Sequence, residues 1–185
     1  MLKYKNKKEI KMKKISIVKG DITQIEVSAI VNSTNKFLRP GFGVDSCIHS
    51  VGGEKIAKNL KSILLVAGEP EEGTSVVTTG GLLPASYVVH AIAPSFKDGE
   101  HNERELLFKT YISCFDNFEK YEDIKTVSFP CIGTGVYDFP KDEAASIALK
   151  AIKNCLSKAK NIEQVIIVCY DDENYDIYKE LIKNM

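Results

Sequence analysis

The chain has 185 residues, 44% hydrophobic and 27% charged, which fits one soluble domain able to bury a core without staples. Its formal net charge of +0 hides an asymmetry: residues 1–14 carry seven lysines and one glutamate, so the body of the chain is about −6. An acidic body argues against a nucleic-acid groove as the main function, and no apolar run approaches the length of a membrane span.

The lysine-rich start, residues 1–14, reads as a solvated tail, and residues 15–185 as a single domain. No apolar segment follows those lysines, so they do not read as a signal peptide. Met12 offers a second start, Met12-Lys13-Lys14-Ile15-Ser16. The five cysteines are Cys47, Cys114, Cys131, Cys155 and Cys169, an odd number with no C-x-x-C pair. They read as reduced, structural cysteines of a cytoplasmic protein, and no metal site is expected.

In chain order, Ile15–Val18 and Val27–Val31 read as strands. Helical patterns follow from about Val44 and over Glu54–Leu65. Val76–Thr79 and Tyr87–Ala93 read as strands around a turn at Gly80, Gly81 and Pro84. Leu107, Tyr111, Cys114, Phe115 and Phe118 recur at helical spacing. Thr126–Phe129 is a short strand, and Pro140 suits the first position of a helix with Asp142 and Glu143 in its first turn. That helix carries a broad apolar stripe through Ala144, Ala145, Ala148, Leu149, Ala151, Ile152, Cys155 and Leu156. Val165–Cys169 is a continuous apolar run, as in a strand covered on both faces, and a last helix is expected from about Tyr175 to Ile182. This alternation predicts a layered α/β domain on a mostly parallel sheet, with ligands beyond the carboxyl ends of the strands.

Two glycine-bearing loops fall at such ends. The first runs from Asn32 to Asp45 through Asn35, Arg39, Pro40, Gly41, Phe42 and Gly43, and leads into a helix. The second runs from Cys131 to Pro140 through Gly133, Thr134, Gly135, Val136 and Tyr137. Glycines let backbone N–H groups approach an anion, and a helix start adds unpaired donors. Neither loop is a Walker A or a G-x-G-x-x-G sequence, and either alone is equally compatible with a tight turn. Together they form a cradle for a diphosphate, with Asp21 left to read a neutral group such as an adenine amino.

The combination of Gly20-Asp21-Ile22-Thr23, Ile30-Val31-Asn32-Ser33-Thr34-Asn35, Gly43-Val44-Asp45 with Ile48-His49, and Ser128-Phe129-Pro130 through Gly135-Val136-Tyr137 and Pro140 resembles a macrodomain of the MacroD type. Leu83-Pro84, Tyr87-Val88-Val89-His90 and Val168-Cys169-Tyr170-Asp171 with Glu173-Asn174-Tyr175 extend the likeness over residues 15–183. The resemblance implies a three-layer α/β/α sandwich around a mixed, mostly parallel sheet. It implies that Asp21 accepts from the adenine amino group with the Ile22 backbone beside it. Asn35 would hold the distal ribose, with Gly43 and Val44 next to it. Gly133, Thr134, Gly135, Val136 and Tyr137 would wrap the diphosphate, and Tyr170 would pack by the adenosine. Asp45, with Asn35, would be catalytic, activating a water against an ester of the distal ribose, with no metal and no cofactor.

The implied substrates are O-acetyl-ADP-ribose and mono-ADP-ribosylated Asp or Glu on partner proteins, handled by a monomer. A module that binds ADP-ribose without turnover is the second reading. Nucleic-acid binding through the lysine tail is a third, which the acidic body opposes. His49 and His90 read as structural histidines. Phe42 departs from the family's glycine run, and Pro40 stiffens the turn before it: Phe42 either stacks on a substrate, obstructs a bulky protein substrate, or sends the loop along another path.

Overall fold

The computed structural model describes residues 14–184, so most of the lysine-rich tail lies outside the described residues. Six strands form one sheet: β1 (Lys14–Lys19), β2 (Ala29–Thr34), β3 (Ser75–Thr79), β4 (Tyr87–Ile92), β5 (Thr126–Pro130) and β6 (Gln164–Cys169). Their order is β1-β6-β5-β2-β4-β3, parallel throughout except that β3 runs antiparallel to β4. The helices are α1 (Val44–Gly52), α2 (Glu54–Ala67), α3 (Glu103–Phe118), α4 (Lys141–Lys158) and α5 (Asp172–Lys183), with a 3₁₀ turn at Ile22–Gln24. No helix among the described residues is long and apolar enough to cross a membrane.

Side-chain alternation divides the strands between two cores. Ala29 and Val31 of β2, with Val89 and Ala91 of β4, face α3, α4 and α5. Ile30, Val88 and Ile92 face the other way, against Ile48, Ile56 and Leu60 of α1 and α2. Both faces are covered, which is why these strands read as unbroken apolar runs. The stripe of α4 is buried as expected, and Leu107, Tyr111, Cys114, Phe115 and Phe118 of α3 pack beside it.

Most element boundaries shift by a residue or two from the sequence reading, and three differences bear on the loops. The second strand spans Ala29–Thr34 instead of Val27–Val31, so Asn32, Ser33 and Thr34 are buried strand residues, not loop. Polar side chains disguised them, yet their backbone pairs with His90, Ala91 and Ile92 of β4. Pro140 is the residue before α4, which starts at Lys141. The last helix starts at Asp172: the Asp171 side chain caps it by accepting from Asn174 N–H at 2.8 Å.

The fold also makes a crevice. β2 and β5 are neighbours but pair only at Ala29–Val127 and Ile30–Ser128, after which their carboxyl ends separate. The chain after β2 enters α1 on one face, whereas the chain after β5 enters α4 on the other. Adjacent parallel strands whose helices leave to opposite faces create an opening at their carboxyl ends. Because β3 is reversed, the segment before it, residues 69–74, reaches this same edge.

Candidate functional site

The first loop, residues 35–43, is shaped by Asn35. Its Oδ1 accepts from Phe37 N–H at 3.1 Å and its Nδ2 donates to the Arg39 carbonyl at 2.8 Å. One amide hydrogen and one lone pair are left for a ligand. Gly41 then passes between two side chains: a Cβ there would lie 3.2 Å from Asp45 Oδ2 and 3.5 Å from Asn35 Nδ2. The expected pair, Asn35 and Asp45, is therefore brought together, with Gly41 between them. Gly43 adopts φ 63° and ψ −133°, a backbone open to glycine, and Val44 begins α1.

Asp45 is buried, with 2% of its surface exposed. Its Oδ2 accepts the Gly41 N–H at 2.6 Å and its Oδ1 accepts the Asn32 amide at 2.5 Å. The second amide hydrogen of Asn32 points to His90 Nδ1 at 3.1 Å, and His90 Nε2 lies 2.9 Å from Thr78 Oγ1. Burial, aided by His49, pushes His90 down to about 3, so the ring is neutral and Nδ1 can accept. The proton on Nε2 then donates to Thr78, and a directed chain runs Asp45, Asn32, His90, Thr78. His49 Nε2 stands 3.7 Å from Asp45 Oδ1, with 7% of its side chain exposed and no hydrogen-bond partner among the described residues. Sequence reasoning missed Asn32, which holds the carboxylate. Its signal was a polar residue in a strand whose registered partner, His90, is also polar.

The second loop folds around Gly133, where φ is +88° and a Cβ would come 2.9 Å from the Phe139 ring. Phe139 N–H donates back to the Gly133 carbonyl at 3.0 Å, and Thr134 Oγ1 donates to the Cys131 carbonyl at 2.9 Å. Gly133 thus closes the loop, whereas Gly135 is exposed with open space about it. Beneath, Cys131 and Cys169 have their sulfurs 3.6 Å apart, and that contact together with burial pushes the Cys131 thiol up.

Tyr137 is half-buried in the second loop. Its hydroxyl is raised above the usual tyrosine value by burial, then by the charges of Asp45 and Glu72. Lys36, Glu69, Pro70, Glu71 and Glu72 line a cleft of about 350 Å³ at this end. A larger cleft of about 660 Å³ lies at the opposite edge, around Glu26, Ser28 and Pro84, away from both loops. At the other end of the crevice Asp21 is exposed, and its Oδ1 accepts from Thr23 N–H at 2.9 Å and Thr23 Oγ1 at 2.8 Å. Ile22 is buried beside it, and Tyr170, just past β6, is 86% exposed. Val136, at 63%, stands between, so apolar surface is offered along the crevice where the fold does not require it.

A sequence model of the Macro domain family matches residues 31–148, which hold both loops. This chain belongs to the macrodomain family. The macrodomain is 47% identical over 171 residues to the O-acetyl-ADP-ribose deacetylase 1 of Pantoea vagans (strain C9-1), covering 92% of this chain and 99% of that protein. It is 38% identical to the O-acetyl-ADP-ribose deacetylase of Escherichia fergusonii, covering 91% and 95%. Among solved structures, the Oceanobacillus iheyensis macrodomain with ADP aligns with a TM-score of 0.87 at 32% identity, covering 96% of each chain. The Trypanosoma brucei macrodomain in complex with ADP-ribose aligns at 0.81 and 27%, covering 91% of this chain and 68% of that one. The sheet and its layers are those of the expected α/β/α sandwich.

A further cluster lies apart from the crevice. Asp98, His101 and Glu103 bring their side-chain ligand atoms within 4.8 Å of one another. Burial would raise Glu103, but it accepts backbone N–H groups of His101 at 2.7 Å, Lys97 at 3.2 Å and Gly99 at 3.3 Å. These bonds hold its carboxyl down at about 2. The group is a clasp for the loop before α3.

Proposed function

We propose that this macrodomain binds ADP-ribose along the crevice and hydrolyses esters carried on the distal ribose, with O-acetyl-ADP-ribose as the leading substrate class. The observation that carries the reading is the Asp45 carboxylate, anchored on both oxygens and separated from the Asn35 amide by a single glycine. The names and bound nucleotides of the relatives support it.

In this reading, Asp21 and Tyr170 take the adenosine, and the loop from Gly133 to Tyr137 takes the diphosphate on backbone N–H groups. Asn35, Gly43 and Val44 hold the distal ribose. Asp45 orients a water and draws off its proton as the oxygen attacks the acyl carbon. The acyl–oxygen bond breaks and the ribose oxygen leaves as an alcohol, taking up the proton that Asp45 drew from the water, so the carboxylate is regenerated. The two anchors fix the orientation of the Asp45 carboxylate, and such preorganisation is where a positioned base gains its effect. No metal is used. Esters of ADP-ribose with Asp or Glu on partner proteins present the same bond and form a second substrate class, for a monomer acting in the cytoplasm.

The test pairs ADP-ribose calorimetry with ester turnover for wild type and Asp45→Ala. Retained binding with turnover reduced about 10²–10⁴-fold is the expected result. Parallel loss of both would make Asp45 a binding or folding residue instead. A second reading, recognition without turnover, draws on the burial of Asp45, and it predicts tight binding with no release of acid from any ester.

A further inference from the structure

We propose that Phe42 is the acyl-group wall of the site and that it makes this macrodomain favour longer, apolar acyl esters over acetyl. The proposal rests on the ester-hydrolase reading above.

Phe42 lies between two positions that only glycine satisfies well. A side chain at Gly41 would press on Asp45, and Gly43 needs its positive φ. Position 42 has no such constraint and carries a large ring, 80% exposed. Phe37, in the same loop, has Lys36 Nζ 5.3 Å from its ring centroid. For Phe42 no ring or cation partner is found among the described residues. Leaving most of a phenylalanine in water forfeits the stabilisation that burial brings, so the ring contributes little to the fold.

Its place does suggest a use. The backbone N–H one residue before it is bound to Asp45, and the residues after it, Gly43 and Val44, are those expected beside the distal ribose. An acyl group on that ribose must be presented to Asp45, within a residue or two of the ring. An apolar chain there covers the ring and is itself removed from water, whereas acetyl is too short to gain much. ADP-ribose, which has no acyl group, should be indifferent to the ring.

The experiment compares kcat/KM for acetyl, propionyl and butyryl esters of ADP-ribose, with wild type, Phe42→Ala and Phe42→Leu. Wild type should gain about threefold per methylene, less than a closed apolar pocket would provide. Phe42→Ala should flatten the series, lowering butyryl turnover more than acetyl, while leaving thermal stability and ADP-ribose affinity near wild type. Phe42→Leu should restore part of the slope. An unchanged slope in Phe42→Ala, or faster butyryl turnover in that variant, overturns the proposal, the latter by making the ring an obstruction. If wild type binds ADP-ribose but cleaves none of the three esters, the hydrolase reading itself fails and takes this inference with it.

Discussion

Replacing Asn32 with alanine removes the donor that joins Asp45 to His90, and the cost can be worked from the two bonds it makes. One amide hydrogen goes to Asp45 Oδ1 at 2.5 Å and the other to His90 Nδ1 at 3.1 Å, with all three side chains buried. The alanine leaves two buried acceptors without donors, one of them on a carboxylate. At about 1–3 kcal/mol for each orphaned group, the expected loss is about 2–6 kcal/mol. Asn32→Ala should lower the urea midpoint by that loss divided by the slope, with the slope itself unchanged, because the folded core stays the same size. A cycle with His90→Phe should show coupling: the double variant costs less than the two singles combined, since the phenylalanine has no acceptor to strand. A loss below about 1 kcal/mol, or strict additivity, would refute the chain of bonds drawn through Asn32.

Acid should destabilise the fold in two overlapping windows. His90 is held at about 3 against an ordinary 6.5, so the unfolded chain takes up a proton that the native ring refuses. Its contribution is complete above pH 6.5 and is lost as pH falls toward 3, with a slope of at most about 1.4 kcal/mol per pH unit. Glu103, held at about 2 against 4.5, adds a loss between those values, and Glu103→Gln should flatten that part of a pH series of denaturant melts. Gly133→Ala should cost about 1–3 kcal/mol, since the residue sits at positive φ against Phe139. Gly135→Ala should leave the melting temperature unchanged yet weaken ADP-ribose binding; equal stability loss at both positions would contradict the division of roles. Asp21→Ala should weaken ADP-ribose binding by about 1–3 kcal/mol, and calorimetry finding wild-type affinity would remove it from the adenine site.

Much of the architecture was readable because apolar periodicity survives burial on two faces. The α4 stripe and the runs Val165–Cys169 and Tyr87–Ala93 each landed on an element, the last one residue longer than the strand. The second strand was misplaced for a definite reason. Asn32, Ser33 and Thr34 have loop-like side chains, and only the register with β4, 58 residues downstream of Asn32, supplies the partner that lets an amide sit in the core. Local pattern also hid the different surroundings of Gly133 and Gly135, because a glycine required by a ring 6 residues away looks the same as one with open space about it. The motifs did bring Asn35 and Asp45 to one place. They did not reveal that Asn35 first serves its own loop, which depends on the carbonyl of Arg39.

The separation of β2 and β5 gives an occupant of the crevice a mechanical role. One loop continues into α1 and one cluster of buried side chains; the other continues into α4 and the opposite cluster. A ligand reaching from Asn35 to Gly135 would rivet the two outer layers together across a seam where the sheet has stopped pairing. Amide hydrogen exchange should then slow in α1 and α4 by matching factors as ADP-ribose saturates, although neither helix touches the other's core.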